Sequence, residues 1–171
     1  MSHLFIKDVS TEKDAIKPYS NWAVLEAHHQ TYAKSIYKYV PLIYRIDDNL
    51  IYMETILGST VHEYITRGNF RNYKSILSNI IRILTFFHHH NFIHGDTNLK
   101  NYMIDKHNNI WIIDFGMSRY TPNQSTHRKE IIKLIKSFHQ LVGMTVRGLY
   151  QYIPTSSDAK WFNTQYTQKK I

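Results

Sequence analysis

The run His94-Gly95-Asp96-Thr97-Asn98-Leu99-Lys100-Asn101, followed by Ile113-Asp114-Phe115-Gly116, constrains this chain more than any other feature. Asp96 and Asn101 stand five positions apart, and Asp96 and Asp114 stand eighteen apart. Between them, Tyr102-Met103-Ile104 and Ile110-Trp111-Ile112-Ile113 flank the polar stretch Asp105 to Asn109, which predicts a β-hairpin. That hairpin would set Asn101 and Asp114 at neighbouring strand ends, so an amide and a carboxylate distant in sequence would converge.

The residue types suit phosphoryl transfer. An attacking hydroxyl needs a carboxylate to orient it and take its proton, and Asp96 is the candidate. Magnesium takes hard oxygen ligands and needs only one or two from the protein when phosphate oxygens supply others, so Asp114 with the amide oxygen of Asn101 suffices. Gly116 permits a sharp turn after the metal ligand. The plainer alternative is that Asp96 and Asn101 cap a turn and Asp114 ends a strand. It serves for any one residue but leaves the spacing of the set unexplained.

With 171 residues the chain can bury one good core, or a compact domain plus a small lobe. It has no cysteine, which excludes disulfides and thiolate zinc sites and fits a reducing, cytoplasmic setting. No long apolar run opens the chain, where Lys7, Asp8, Glu12, Lys13 and Asp14 intervene, so no membrane association is expected. The net charge of +8 suits anionic partners such as nucleotides, nucleic acid or acidic substrates, without choosing among them.

Leu4 to Val9 reads as a short strand. After Pro18 and the cap candidate Ser20, a helix is predicted to about Ile36, with Trp22, Glu26, His29, Ala33 and Ile36 on one face. That face carries an acid where an apolar residue is expected. Leu42–Ile46 and Leu50–Glu54 should pair across Asp47-Asp48-Asn49. Tyr73, Ile76, Leu77, Ile80, Ile81, Leu84 and Phe87 keep a helical period and predict a core helix. Residues 121–126 read as loop, and a last helix is expected from about His127 to Val142, ending near Gly143. His88-His89-His90 resembles a metal tract, but consecutive helical residues point apart and a helical metal pair needs spacing of three or four, so no zinc site is expected there. The aromatic residues are read as core, and Lys169-Lys170 as a solvated end.

This order resembles a protein kinase over most of the chain. The resemblance implies an α+β, truncated protein-kinase-like fold: a reduced N-lobe sheet with one helix at residues 1–56 and a mainly helical, truncated C-lobe at 57–171. It implies that Lys7, nineteen positions before Glu26, holds the α- and β-phosphates of ATP while Glu26 orients it. Met53 would back the adenine pocket, and Glu54 to Ile56 would supply hinge backbone. Asp96 would be the catalytic base, and Asn101 and Asp114 would hold Mg²⁺. Lys100 would reach the γ-phosphate, with a solvated loop lysine as the equal alternative.

His-Gly-Asp, with Ile113 to Ser118 and Met53 to Gly58, is most similar to the small atypical kinases of the KEOPS tRNA-modification complex, and more distantly to aminoglycoside and choline kinases. The first glycine is Gly58, so no glycine-rich loop precedes Lys7, and weak nucleotide binding is expected. No Ala-Pro-Glu motif follows the metal turn, and no loop arginine stands ready for an activating phosphate. The expected function is an ATP-dependent serine/threonine kinase acting on a protein substrate. The alternatives are a weak or inactive mimic that regulates a partner kinase, and a KEOPS-like ATPase in a tRNA-modification complex.

Overall fold

The computed structural model of the protein describes residues 4–10, 21–69 and 72–147. Strands β1 (Leu4–Asp8), β2 (Ile43–Asp47) and β3 (Leu50–Glu54) form an antiparallel sheet in the order β1-β3-β2. β2 and β3 are the predicted hairpin, with Asp48 in the left-handed region (φ 49°) that short acidic and amide side chains tolerate. Helix α1 (Trp22–Ile36) packs on this hairpin. Its cap is Asn21, whose Oδ1 accepts from Val24 N–H at 3.1 Å; the anticipated cap, Ser20, lies outside the described residues. Val9, Ala23, Ile51 and Met53 close a small core between sheet and helix.

The larger core belongs to the second half of the chain. Helix α3 (Tyr73–His89) buries every position of its predicted apolar stripe, because a 3.6-residue period keeps those side chains on one face. Around it stand strand β4 (Gly58–Thr60), helix α2 (Val61–Thr66), the two-residue strands β5 (Phe92–Ile93) and β8 (Arg119–Tyr120), and the hairpin β6 (Tyr102–Asp105) with β7 (Ile110–Ile112). Sheet order is β4-β6-β7, with β5 paired to β8. Ala33 and Val40 also pack into this core, joining the region after α1 to the second half.

Two segments depart from the sequence expectations. Helix α4 spans Gln124–Arg147, starting within the predicted loop and passing Gly143. Asn123 starts it early, since its Oδ1 accepts from Ser125 N–H at 2.9 Å and Thr126 N–H at 3.3 Å. Packing of Ile131, Leu134, Phe138, Leu141 and Val142 into the core outweighs the modest cost of a glycine within a helix. Helix α2 is too short for periodicity to announce, yet Thr60-Val61-His62-Glu63 carries a capping box. Thr60 Oγ1 accepts from Glu63 N–H at 3.1 Å, and Glu63 Oε2 accepts from Thr60 N–H at 3.0 Å.

The β6–β7 turn is organised by one carboxylate. Asp105 accepts from His107 N–H, Asn109 N–H, Asn109 Nδ2 and Trp111 Nε1, all at 2.8–2.9 Å. Burial acts to raise its pKa, but these donors outweigh it and hold the carboxyl well below the usual range. Asp105→Ala should therefore destabilise the protein by about 1–3 kcal/mol at pH 7 in urea unfolding. A depressed carboxyl pKa contributes stability above its unfolded value of about 3.9, lost as pH falls further. The gap between parent and variant should accordingly narrow below about pH 4.

Candidate active site

Lys7 lies on β1, whose alternation turns it towards α1, and the three- to four-residue spacing of that helix puts Glu26 on the buried face with Ala23, Ala27, Gln30 and Ala33. Lys7 Nζ donates to Glu26 Oε1 at 2.8 Å and Oε2 at 2.9 Å, and to Asp114 Oδ1 at 3.0 Å. Side-chain exposures are 18% for Lys7, 2% for Glu26 and 42% for Asp114, so one end of this chain of charges is buried and the other faces solvent. Burial opposes the ammonium charge, but Glu26 and Asp114 outweigh it and raise the pKa well above that of an ordinary lysine. The acid on the inward face of α1 is thus a charge partner. It is not a defect in the core.

Asp114 follows β7 with φ 65°, a left-handed conformation that costs a non-glycine residue roughly 1–2 kcal/mol. The backbone places Ile113 N–H on the carbonyl of Asn101 at 3.0 Å, which is how the predicted hairpin brings Asn101 beside Asp114. Asn101, 7% exposed, donates through Nδ2 to Asp96 Oδ2 at 2.9 Å. That bond commits the amide nitrogen and leaves Oδ1 as the atom available to a cation, the donor type magnesium requires. Asp96 Oδ1 accepts from Asn98 N–H at 3.0 Å, so both carboxylate oxygens are oriented. Each retains a lone pair for an incoming hydroxyl.

The remaining anticipated residues divide. Met53 is buried in the small core, with Gln30 Nε2 at 3.6 Å from its Sδ. Glu54 N–H is taken by the carbonyl of Leu42 at 2.8 Å, and Ile56 makes no backbone hydrogen bond among the described residues. Ile56 backbone is therefore free to meet a ligand edge. Lys100 is exposed, and its side chain has no partner among the described residues.

The sequence reading missed what holds the loop around Asp96 down. Glu130, buried on α4, accepts Gly95 N–H through Oε1 at 2.6 Å and pairs through Oε2 with His88 Nε2 at 2.6 Å. The signal was an acid directly beside the apolar stripe Ile131, Leu134, Phe138, the same anomaly as Glu26 on α1. His88 is thus a partly buried partner of Glu130, and His127 stacks on it with centroids 4.5 Å apart. His94 lies between two carbonyls, with Nδ1 2.7 Å from Asp96 O and Nε2 3.0 Å from Ile113 O; Ser118 Oγ donates to His94 O at 2.8 Å.

Gly95 is also a structural requirement. Its φ of 87° disfavours any side chain, and an added Cβ would run into the carbonyl of Met117. The glycine in His-Gly-Asp is therefore set by the close passage of two backbones.

Because buried Glu130 meets two partly buried groups at once, Gly95 N–H and the His88 ring, Glu130→Ala should cost about 1–3 kcal/mol in chemical unfolding. Glu130→Gln, which can still accept from Gly95 N–H, should cost less. Equal losses in the two variants would show that the carboxylate does not tether the loop.

Comparison with known proteins agrees with this geometry. The chain is 35% identical over 79 residues, 42% of its length, to the dual specificity protein kinase zakA of Dictyostelium discoideum, of which the match covers 10%. It is 36% identical over 72 residues, 40% of its length, to the probable serine/threonine-protein kinase fnkB of the same organism, with 14% of that protein covered. Against the mitogen-activated protein kinase kinase kinase YODA of Arabidopsis thaliana, identity is 33% over 88 residues, or 47% of this chain and 10% of YODA. The chain thus spans about a tenth of the length of the relatives it matches. The family model described as protein kinase domain matches residues 3–142, and with Lys7, Glu26, the Asp96 loop and the Asp114 turn assembled as above, this chain belongs to the protein kinase domain family.

Proposed function

We infer that the chain transfers a phosphoryl group from ATP to a serine or threonine hydroxyl of a protein. The observation carrying this reading is Lys7 reaching Glu26 and Asp114 together, which ties the small sheet to the metal turn across 107 positions of sequence. A fold preserved for binding alone has no chemical need for that triad beside an oriented Asp96. Residues 1–56 and 57–171 are taken as the two lobes of this reading, and a cytoplasmic setting goes with it.

In this reading Glu54 to Ile56 would meet the adenine edge against Met53, and Lys7 would hold the α- and β-phosphates. Asp114 and the Asn101 amide oxygen would hold Mg²⁺, which when bound neutralises charge on the phosphates. Asp96 would orient the acceptor hydroxyl and accept its proton, with its carboxylate kept in place by Asn98 and Asn101. Lys100 is close enough in sequence to serve the γ-phosphate and is free to move. Residues 1–171 contain no glycine before Gly58, so they offer the phosphates no glycine-rich cover, and slow turnover by these residues alone is part of the proposal. A weak or inactive mimic acting on a partner kinase is the second reading, and that same feature favours it. The likeness to KEOPS kinases, with its ATPase and tRNA-modification associations, is supported by the His94-Gly95-Asp96 motif and its flanking runs.

Asp114→Ala should remove Mg²⁺-dependent nucleotide binding in calorimetry while the thermal transition persists. Affinity equal to the parent's would remove Asp114 from the metal site. Parent binding should itself be weak, with Kd in the high-micromolar to millimolar range, roughly −4 to −6 kcal/mol.

Asp96→Ala should lower transfer from γ-labelled ATP by about 10²–10⁴-fold with little change in nucleotide affinity, as for a group acting mainly in the transition state. Parental rates in this variant would exclude Asp96 as the base.

A further inference from the structure

Beyond the nucleotide side, the opposite flank of the catalytic loop carries charge that the site does not use. Arg119 on β8 and Lys129 and Lys133 on α4 line a cavity of about 290 Å³ together with Gly95 and Thr97 of the loop. Lys129 and Lys133 are four apart on one helix face, so their side chains converge. All three cations are exposed, and none makes a side-chain hydrogen bond or ion pair among the described residues. The one acid lining the cavity, Glu130, has both oxygens engaged, by Gly95 N–H and His88. Thr97 is 1% exposed, and its hydroxyl has no partner among the described residues.

A buried hydroxyl without a partner beside three uncommitted cations is a site short of an anionic acceptor. Lys133 also lines a second cavity, of about 470 Å³, whose walls include Asp96, His62, Ser137 and Gln140. The cationic cavity therefore opens beside the carboxylate that an attacking hydroxyl must approach. The cations converge on one small space. A nucleic-acid strand would instead require a stripe following successive phosphates.

We propose that this cavity binds an acidic side chain of the acceptor peptide, next to the hydroxyl presented to Asp96. Both carboxylate and phosphoryl groups have the required chemistry, since each brings oxygens for Arg119, Lys129, Lys133 and the Thr97 hydroxyl. The proposal rests on the phosphotransferase reading for the direction of the peptide, but the binding site itself does not depend on turnover.

The test uses the full chain and fluorescent serine peptides flanked by glutamate, glutamine, lysine or one phosphoserine, with binding followed by anisotropy in the absence of nucleotide. Glutamate or phosphoserine peptides should bind at least about tenfold tighter than the glutamine peptide, and Lys129→Glu or Lys133→Glu should abolish that advantage. Whichever anionic peptide binds tighter identifies the anion as carboxylate or phosphoryl. Thr97→Val should weaken the anionic peptides selectively, and melting curves of the two lysine variants should match the parent's, since both lysines are exposed. Indifference to peptide charge, or full affinity in Lys133→Glu, would overturn the proposal. So would an oligothymidylate that binds tighter than any peptide and is lost in the same variants. Anionic preference without transfer from ATP would leave the cavity standing and sink the phosphotransferase reading, whereas transfer without anionic preference would do the reverse.

Discussion

The contact of Lys7 with Glu26 and Asp114 is the interaction on which the rest of this site depends. A carboxylate as buried as Glu26 is costly unless a cation meets it, and Lys7 meets it with both carboxylate oxygens in reach. The same ammonium holds Asp114, which stands in a backbone conformation that a non-glycine residue adopts only at a cost. One cation therefore sets how the small sheet, helix α1 and the turn after β7 are arranged relative to one another. Its raised pKa keeps it charged throughout the physiological range.

The loop from His94 to Asn101 is held differently, from several sides by hydrogen bonds to its backbone. Glu130 takes Gly95 N–H from α4, Ser118 takes the carbonyl of His94 from the segment after Asp114, and His94 itself lies between the Asp96 and Ile113 carbonyls. Only then do the side chains of Asp96 and Asn101 bond each other. Such anchoring leaves the functional atoms oriented while the backbone carries the load, the arrangement by which a positioned group avoids reorganisation during reaction. Gly95 belongs to this scheme because its backbone passes too close to Met117 for any Cβ.

Charge is distributed unevenly around that loop. Lys7 is matched by Glu26 and Asp114, whereas Arg119, Lys129 and Lys133 on the other flank have no side-chain partner among the described residues. The overall charge of +8 is thus informative only once located.

The sequence by itself determined the long amphipathic helix α3, both hairpins and the convergence of Asn101 with Asp114, because periodicity and turn chemistry act over a few residues. It also marked Glu26 as anomalous, since an acid on an apolar stripe requires a partner. Glu130 carries the same signal but was missed, and its partners are not identifiable from sequence: His88 lies 42 positions away and Gly95 lies 35 away, and pairings at that range are chosen by packing. Helix α4 begins and ends where its cap and buried face dictate, beyond where local propensity would stop it. The cationic cavity was decided by tertiary structure alone. Arg119 comes from a two-residue strand and the lysines from a helix, and only folding sets them around the Thr97 hydroxyl, which has no partner among the described residues.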